Sequence, residues 1–241
     1  MRLQSVLHQR GIRPEALAQV CEVDPKTVSR WLGGRMPHPR HRRSVAQHLR
    51  IEEEFLWPPN PDATPVPENA ELIATYSNRA EVPRDVWLSL LRGATEQIDI
   101  LVFSGTFIVQ SNPLVVKMLS EQAARGTTIR LCFGDAEGRA VDARGHEEGI
   151  GDALAAKIRA SLSYYRPLLG QDGCEIRLHD TTLYSSLFRY DENLMVNPHI
   201  WGLPASANPL FQLKRVTSHT WFDSYTNSFE TIWAGARAWT P

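Results

Sequence analysis

Paired cysteines are missing from this chain. Cys21, Cys132 and Cys174 stand far apart, so neither a disulfide framework nor a zinc site is expected, no cofactor is implied, and all three read as core fillers. Hydrophobic runs of membrane-spanning length are lacking, and no apolar signal region precedes Arg10; neither secretion nor a membrane anchor is expected, and the cytoplasm is the default location. Strong net charge is also absent: 26 Lys and Arg against 27 Asp and Glu give −1 over 241 residues. That near-neutrality is an average of unlike halves. Residues 1–57 carry ten Lys and Arg against six Asp and Glu, with four His besides, whereas the remainder carries sixteen against twenty-one. Only the first part is dressed for a polyanion.

What that first part contains is a helix, a tight turn and a helix between Glu15 and Arg35, EALAQVCEVDPKTVSRWLGGR. Leu17, Ala18 and Val20 fall on the buried side of the first helix, and Cys21 to Val23 make the turn. Asp24 stands at the N-cap, with Pro25 following at the first helical position, where its missing N–H costs nothing. In the second helix Val28 and either Trp31 or Leu32 recur at helical spacing, which turns Lys26, Thr27, Ser29 and Arg30 outward. Short polar side chains beside an Arg suit base edges and phosphates in a major groove.

On Ala18, Val23, Val28 and Trp31, residues 3–57 resemble the lambda-repressor-like (Cro/CI or Xre) helix-turn-helix family. Glu22 departs from it, standing where the family usually has Gly, which matters because a left-handed backbone is costlier with a side chain. Leu3 to Gln9 reads as a helix ended by Gly11, packing Leu3, Val6 and Leu7 on the hairpin. Gly33 to Arg43 reads as an exposed basic loop, and the resemblance implies that it runs beside the DNA backbone, making Arg35, Arg40, Arg42 and Arg43 the phosphate-contact candidates. A fourth helix is predicted over Ser44–Arg50, and a fifth over Ile51–Trp57 with Phe55, Leu56 and Trp57 as a lid on the core. Pro58, Pro59, Pro61, Pro65 and Pro67 then make residues 58–68 an extended linker.

Residues 69–241 read as a second, α/β domain. Short apolar runs at Leu72–Tyr76, Gln97–Ile108, Thr128–Phe133, Glu175–Leu178, Thr182–Tyr190, Asn193–Val196 and Leu210–Val216 are the expected strands, the second of them ending in Ser104-Gly105-Thr106. Helices are predicted from Pro83, over Pro113–Arg125 and over Asp152–Tyr165, with Asp135–Gly151 as a polar connection. The strand–helix–strand order around Pro113–Arg125 predicts a parallel pair, and Asp191-Glu192 hinges an antiparallel one. The aromatic stripe Phe222, Tyr225, Phe229, Ile232, Trp233 and Ala236 reads as core at helical spacing.

This order of elements resembles one half of the phospholipase D-like fold, whose hairpin carries His-x-Lys and, after four further residues, Asp. Tyr184 stands here at the His, Ser186 at the Lys and Asp191 at the Asp. The family reaction needs a His nucleophile and a Lys to neutralise developing charge, so the resemblance implies a catalytically inactive domain. With VDPKTV, RGHEEGIG, LHDTTLYSSLFRYD and VNPHIWG, the whole chain resembles bacterial, actinobacterial-type regulators that join such a domain to a helix-turn-helix. By the layout of that fold, Ser104, Thr106, Asp135, Tyr184, Ser186, Asn197 and His199 line a vestigial cleft for a small effector such as a phosphate or nucleotide-like ligand, or else hold loops together. His179 with Asp180, and His219, read as structural or acid–base groups; Arg144, Glu147 and Glu148 form a salt-bridged helix entrance or line the same cleft.

The resulting expectation is a non-enzymatic, sequence-specific transcriptional regulator: an all-α helix-turn-helix domain, residues 1–57, reading a double-stranded DNA operator, and an α/β phospholipase D-like domain that senses a ligand, dimerises, or both. A homodimer is expected because one recognition helix covers few base pairs and single phospholipase D-like halves commonly pair. The alternatives are a DNA-targeted phosphodiesterase or nuclease using His179, His199 or Tyr184 as nucleophile, and a protein-interaction platform.

Overall fold

The computed structural model describes residues 2–57, 71–216 and 220–240. The proline-rich linker predicted over residues 58–68, and His219, lie outside them. Contacts divide the chain between Pro65 and Val66 into two compact units.

The described residues of the first unit are helical: α1 (Arg2–Gln9), α2 (Pro14–Val20), α3 (Pro25–Leu32), α4 (Pro39–Leu49) and α5 (Glu53–Leu56). Three of these helices begin on a proline, which supplies a helical φ where no intrahelical donor is needed. Leu3, Val6, Leu7, Leu17, Ala18, Val28, Trp31, Val45, Leu49, Leu56 and Trp57 form one core. Between the two candidates, Trp31 is the buried partner of Val28, and Leu32 is half-buried. Three expectations need correction. Val20 is 40% and Phe55 52% exposed, because each lies in a short helix whose inward positions are already filled by Leu17, Ala18 and Leu56. The fourth helix starts at Pro39 and not at Ser44, since Pro39 occupies its first position behind His38; Arg40, Arg42 and Arg43 are therefore helical, and only residues 33–38 form the loop.

The turn between α2 and α3 places Glu22 at φ +52°, the left-handed region that costs an L-residue roughly 1–2 kcal/mol. Glu22→Gly is expected to stabilise the first unit by about 0.5–1 kcal/mol after the extra chain entropy of Gly is counted. Denaturant melts of the full chain, followed by helical circular dichroism, check this; a midpoint shifted downward would refute the strain.

In the second unit an eight-stranded mixed sheet runs in the order β1-β7-β6-β5-β2-β3-β4-β8, with β1 (Leu72–Tyr76), β2 (Gln97–Val102), β3 (Thr128–Gly134), β4 (Cys174–His179), β5 (Ser185–Tyr190), β6 (Asn193–Pro198), β7 (Leu210–Lys214) and β8 (Arg237–Ala238). The strands β2, β3 and β4 are parallel, Gln97 facing Thr128 and Ile129 facing Cys174. The hairpin β5–β6 is antiparallel and joins β2 through the pair Leu101–Leu187. The second unit is thus α/β. Its described helices are α6 (Arg84–Gly93), α7 (Thr106–Ser111), α8 (Val115–Ala124), α9 (Arg139–Glu147), α10 (Ala153–Tyr165) and α11 (Trp221–Gly235). From the aromatic stripe on α11, Phe222, Phe229 and Trp233 are buried.

Two predicted stretches differ. The apolar run from Gln97 leaves the sheet at Val102: Gly105 turns the chain at φ +62°, with the Phe133 ring 2.7 Å from where a Cβ would stand, and Thr106 starts α7. The polar connection from Asp135 contains α9, whose buried side is Ala140, Val141, Arg144 and Gly145; two polar residues between apolar ones concealed its periodicity.

Candidate functional site

The candidate residues fall into two groups of side chains, one in each unit. In the first, the Asp24 carboxylate accepts the Lys26 backbone N–H at 2.8 Å and caps α3, fixing the start of the helix. Val28 and Trp31 face the core, so the opposite face presents Lys26, Ser29 and Arg30 exposed and Thr27 half-buried. The Ser29 hydroxyl donates to the Pro25 carbonyl at 3.1 Å. The side chains of Lys26 and Arg30 have no partner among the described residues. Arg35 is exposed in the loop, and Arg40 and Arg43 are exposed on α4. Arg40 donates to His41 at 3.1 Å, and burial first, then Arg40 and His38, lowers the His41 pKa. Arg42 differs from the other three: it is half-buried and ion-paired with Glu53 at 3.0 Å. A guanidinium held by a carboxylate at the α4–α5 junction serves the fold of the unit before it serves a phosphate.

In the second unit a cavity of about 230 Å³ opens beside the ends of β2, β5 and β6. Of the seven cleft residues named from sequence, it gathers Ser104, Thr106, Ser186 and His199. The Ser104 and Thr106 hydroxyls lie 3.3 Å apart. Ser186 is 3.0 Å from His199 Nε2, while His199 Nδ1 is 3.1 Å from the Leu183 carbonyl. A carbonyl only accepts, so Nδ1 carries the proton and Nε2 accepts from the serine hydroxyl. Burial foremost, together with the positive charges of Arg144 and Arg79, pulls the imidazole down to about 4 against the Leu183 bond, and its ring stacks on Phe103 at 5.9 Å. His199 is therefore neutral near pH 7.

The other three do not line this cavity. Asp135 is ion-paired with Arg237 at 2.8 Å. Tyr184 is 82% exposed: it stands just before β5, where its carbonyl accepts the His199 N–H at 2.8 Å while its side chain is left in solvent. Asn197 is fully buried, donates to the Asn208 and Pro209 carbonyls and accepts from Arg79. Asp191 lies at the opposite end of β5 from Ser186 and accepts the backbone N–H groups of Thr95, Glu96 and Gln97; it is a turn anchor. His179 is 1% exposed and is satisfied by the Val102 carbonyl and the Thr181 N–H, while Asp180 caps α9 through Ala140 N. Arg144 holds Glu148 at 2.8 Å, Glu147 at 3.3 Å and the Leu203 carbonyl at 2.7 Å. The RGHEEGIG stretch is thus a salt-bridged helix end, and its Glu148 also reaches the cavity. The Gly145 position lies directly against the Gly151 carbonyl, which leaves no room for a side chain.

Sequence reasoning missed Arg79, Gln110 and Lys157, which complete the lining. Arg79 sits in a 3-10 turn at Arg79–Glu81, after β1; its guanidinium lies 4.1 Å over the Phe107 ring and donates to Asn197 at 3.3 Å. No local motif announces such a residue, since its partners come from α7 and β6. Lys157 is an exposed residue on α10 between buried Leu154 and Ile158, and only its cationic charge hints at a role. Among the described residues no group of three or more His, Cys, Asp or Glu is placed to hold a metal, and no helix is long and apolar enough to cross a membrane.

No family model matches the sequence, and no curated protein matches it either. Solved structures similar to it include the archaeal chromatin protein TrmBL2, described as showing a novel mode of DNA binding (15% identity, 88% of this chain and 68% of that one, TM-score 0.45). Nuc, a phospholipase D family member from Salmonella typhimurium, is similar at 14% identity over 66% of this chain and 91% of that one, with a TM-score of 0.39. Phosphatidylserine synthase from Haemophilus influenzae Rd KW20 is similar at 12% identity over 85% and 48% of the two chains, with a TM-score of 0.46.

Proposed function

We propose that the chain is a sequence-specific DNA-binding transcriptional regulator of the bacterial lambda-repressor-like (Xre) type, cytoplasmic and acting as a homodimer. In this reading its phospholipase D-like second domain does no chemistry and serves sensing, dimerisation, or both. The observation that carries the reading is the capped α3 helix, which holds Lys26, Ser29 and Arg30 on the face opposite Val28 and Trp31 with the two cations unpaired. Unpaired Lys and Arg on one helix face, with further exposed Arg35, Arg40 and Arg43 that no carboxylate holds, are what a phosphate backbone and base edges require. Arg42 is withdrawn from the phosphate set, since contact would have to displace Glu53.

The test is selection of genomic fragments by the purified chain, with its mass in solution measured alongside. A palindromic site bound by a dimer, with half-sites about one helical turn apart, is expected. Arg30→Ala should weaken that site by about 10- to 100-fold, corresponding to roughly 1–3 kcal/mol for a base contact, and leave the melting curve unchanged. Binding that is unaltered by Arg30→Ala, or that shows no sequence preference, refutes the assignment.

One observation favours a second reading, a hydrolase in which Ser186 attacks and His199 takes its proton: the two side chains are in hydrogen-bonding contact inside a cavity that also holds Arg79 and Lys157. The weakness of this reading lies in the base. A general base works best with a pKa near the working pH, and His199 is held at about 4. Turnover of a phosphodiester or ester reporter, lost in Ser186→Ala, would establish the hydrolase in place of the regulator without chemistry.

A further inference from the structure

A second cavity, of about 330 Å³, shares Arg79 and Phe107 with the polar one and is bordered by α6, α7, the start of α8 and the end of β5. Its walls are mainly apolar and aromatic, with Trp87 and Leu91 from α6, Phe107 and Ile108 from α7 and Tyr190 from β5, and Arg84, Ser111 and Asn112 add polar atoms beside Arg79. Protein interiors are close-packed, with few voids larger than a water molecule, so a space of this size falls in the range of small-molecule sites.

Two polar groups in it are left without the partners they need. Arg79 has no carboxylate within ion-pairing distance among the described residues; its guanidinium has the neutral Asn197 amide and the Phe107 ring face, and Glu148 acts on it only from beyond contact. The other largely buried arginines of this unit, Arg130, Arg144 and Arg189, all pair with acids. The second group is the Tyr190 hydroxyl. Tyr190 is 5% exposed; its hydroxyl bonds to no described residue, yet it is not among the sealed side-chain oxygens without a partner, which include that of Tyr165, so it stays accessible from the cavity that Tyr190 lines. A half-buried cation held in no ion pair is costly beside a largely apolar wall, and a ligand carrying an oxyanion for Arg79 and a polar atom for the Tyr190 hydroxyl would serve both groups.

We propose that this cavity binds a small organic anion, its carboxylate or phosphate oxygens on Arg79 and its apolar body between Trp87, Phe107 and Leu91, with Tyr190 hydrogen-bonding to it. Arg79 also lines the polar cavity beside Ser186 and His199, so an anion that reorients this guanidinium alters both spaces. The role of the anion as effector rests on the regulator reading; its binding does not, and is measured without DNA.

The experiment is titration calorimetry and thermal shift of the full chain with octanoate, 3-phenylpropionate, phenyl phosphate, octanol and inorganic phosphate. Saturable binding of an organic anion is expected, with octanol and inorganic phosphate at least tenfold weaker. The carboxylates and phenyl phosphate distinguish the two oxyanion types. Arg79→Gln should lose at least tenfold in affinity, whereas Arg79→Lys should retain part of it. Leu88→Trp, which fills the cavity from a half-buried position, should abolish binding with the polar cavity untouched. The proposal is overturned if no organic anion binds at millimolar concentration, if octanol binds as well as octanoate, if inorganic phosphate binds as well as phenyl phosphate, or if Leu88→Trp binds like the parent. A DNA site that is recognised but indifferent to a bound anion would refute the effector role alone.

Discussion

Asp99→Ala is expected to destabilise the second unit by about 3–5 kcal/mol, the usual cost of removing one partner from a buried ion pair. Asp99 is 2% exposed in the middle of the sheet. The register sets it opposite Arg130 on β3 and Arg189 on β5, so one carboxylate lies between two guanidiniums. Arg130 donates to both of its oxygens at 2.7 and 2.9 Å, Gln97 adds its side-chain amide, and Arg189 stands 3.6 Å away. Without Asp99 the two cations face each other across the strand. Arg130 retains Glu230, which belongs to α11 and is half exposed, and this restrains the sheet less than the strand-to-strand bridge does. Denaturant unfolding of the full chain, followed by fluorescence and circular dichroism, should show the second-unit transition at a clearly lower midpoint. A loss under about 1 kcal/mol would mean that water or Glu230 compensates, and the network would then have to be regarded as peripheral.

Asp191→Ala should cost about 2–3 kcal/mol, because hydrogen bonds to a charged group contribute about 1.5–3 kcal/mol apiece before solvent screening reduces them. The carboxylate gathers the N–H groups of Thr95, Glu96 and Gln97 and the Thr95 hydroxyl, tying the β5–β6 hairpin to the start of β2. Its backbone is at φ +50°, which Asp tolerates better than Ala. Burial raises its pKa, but the bonds from Gln97, Thr95 and Glu96 outweigh burial and hold it below the ordinary Asp value. A folded-state pKa depressed below the unfolded one gives stability that is fully present above about pH 4 and lost as the pH falls through the folded value. Asp191→Asn should therefore flatten the acid limb of the stability curve below about pH 4 while retaining the turn. An acid limb as steep as that of the parent would refute the role given to this carboxylate.

These two acids show how differently the same residue type can be read. Asp191 stands at a motif position and invites a catalytic interpretation, yet its bonds are to the backbone of a strand start. Asp99 sits in a mainly apolar run, QIDILV, and nothing local marks it as the centre of a three-strand charge ladder. The helices of the first unit were legible because proline starts, an aspartate cap and apolar spacing all act within a few residues. The start of α4 was misplaced for a related reason: the two prolines Pro37 and Pro39 look like a break, and only the fold distinguishes the one that begins a helix. The parallel pair β2–β3 and the hairpin β5–β6 followed from crossover length and a polar hinge.

The candidate cleft was half legible. Ser104, Thr106, Ser186 and His199 come together because strand ends and the hairpin converge there. Asp135 follows a neighbouring strand end, and Tyr184 and Asn197 stand two residues from Ser186 and His199, but all three are directed elsewhere, into an ion pair, into solvent and into the backbone of the loop at Asn208. Arg79 and Tyr190, on which the organic-anion site depends, carried no signal.

The sequence by itself determined the number of units, the helical nature of the first, the α/β nature of the second and the outward face of α3, because each depends on periodicity, capping and proline geometry within a short stretch. Tertiary structure decided which cations are free and which are paired, which of the polar residues share a cavity, and that an apolar space adjoins it. Those outcomes depend on distances between residues far apart in the chain, such as Arg79 and Asn197 or Asp99 and Arg189, and strand order and register fix such distances only once the sheet has assembled.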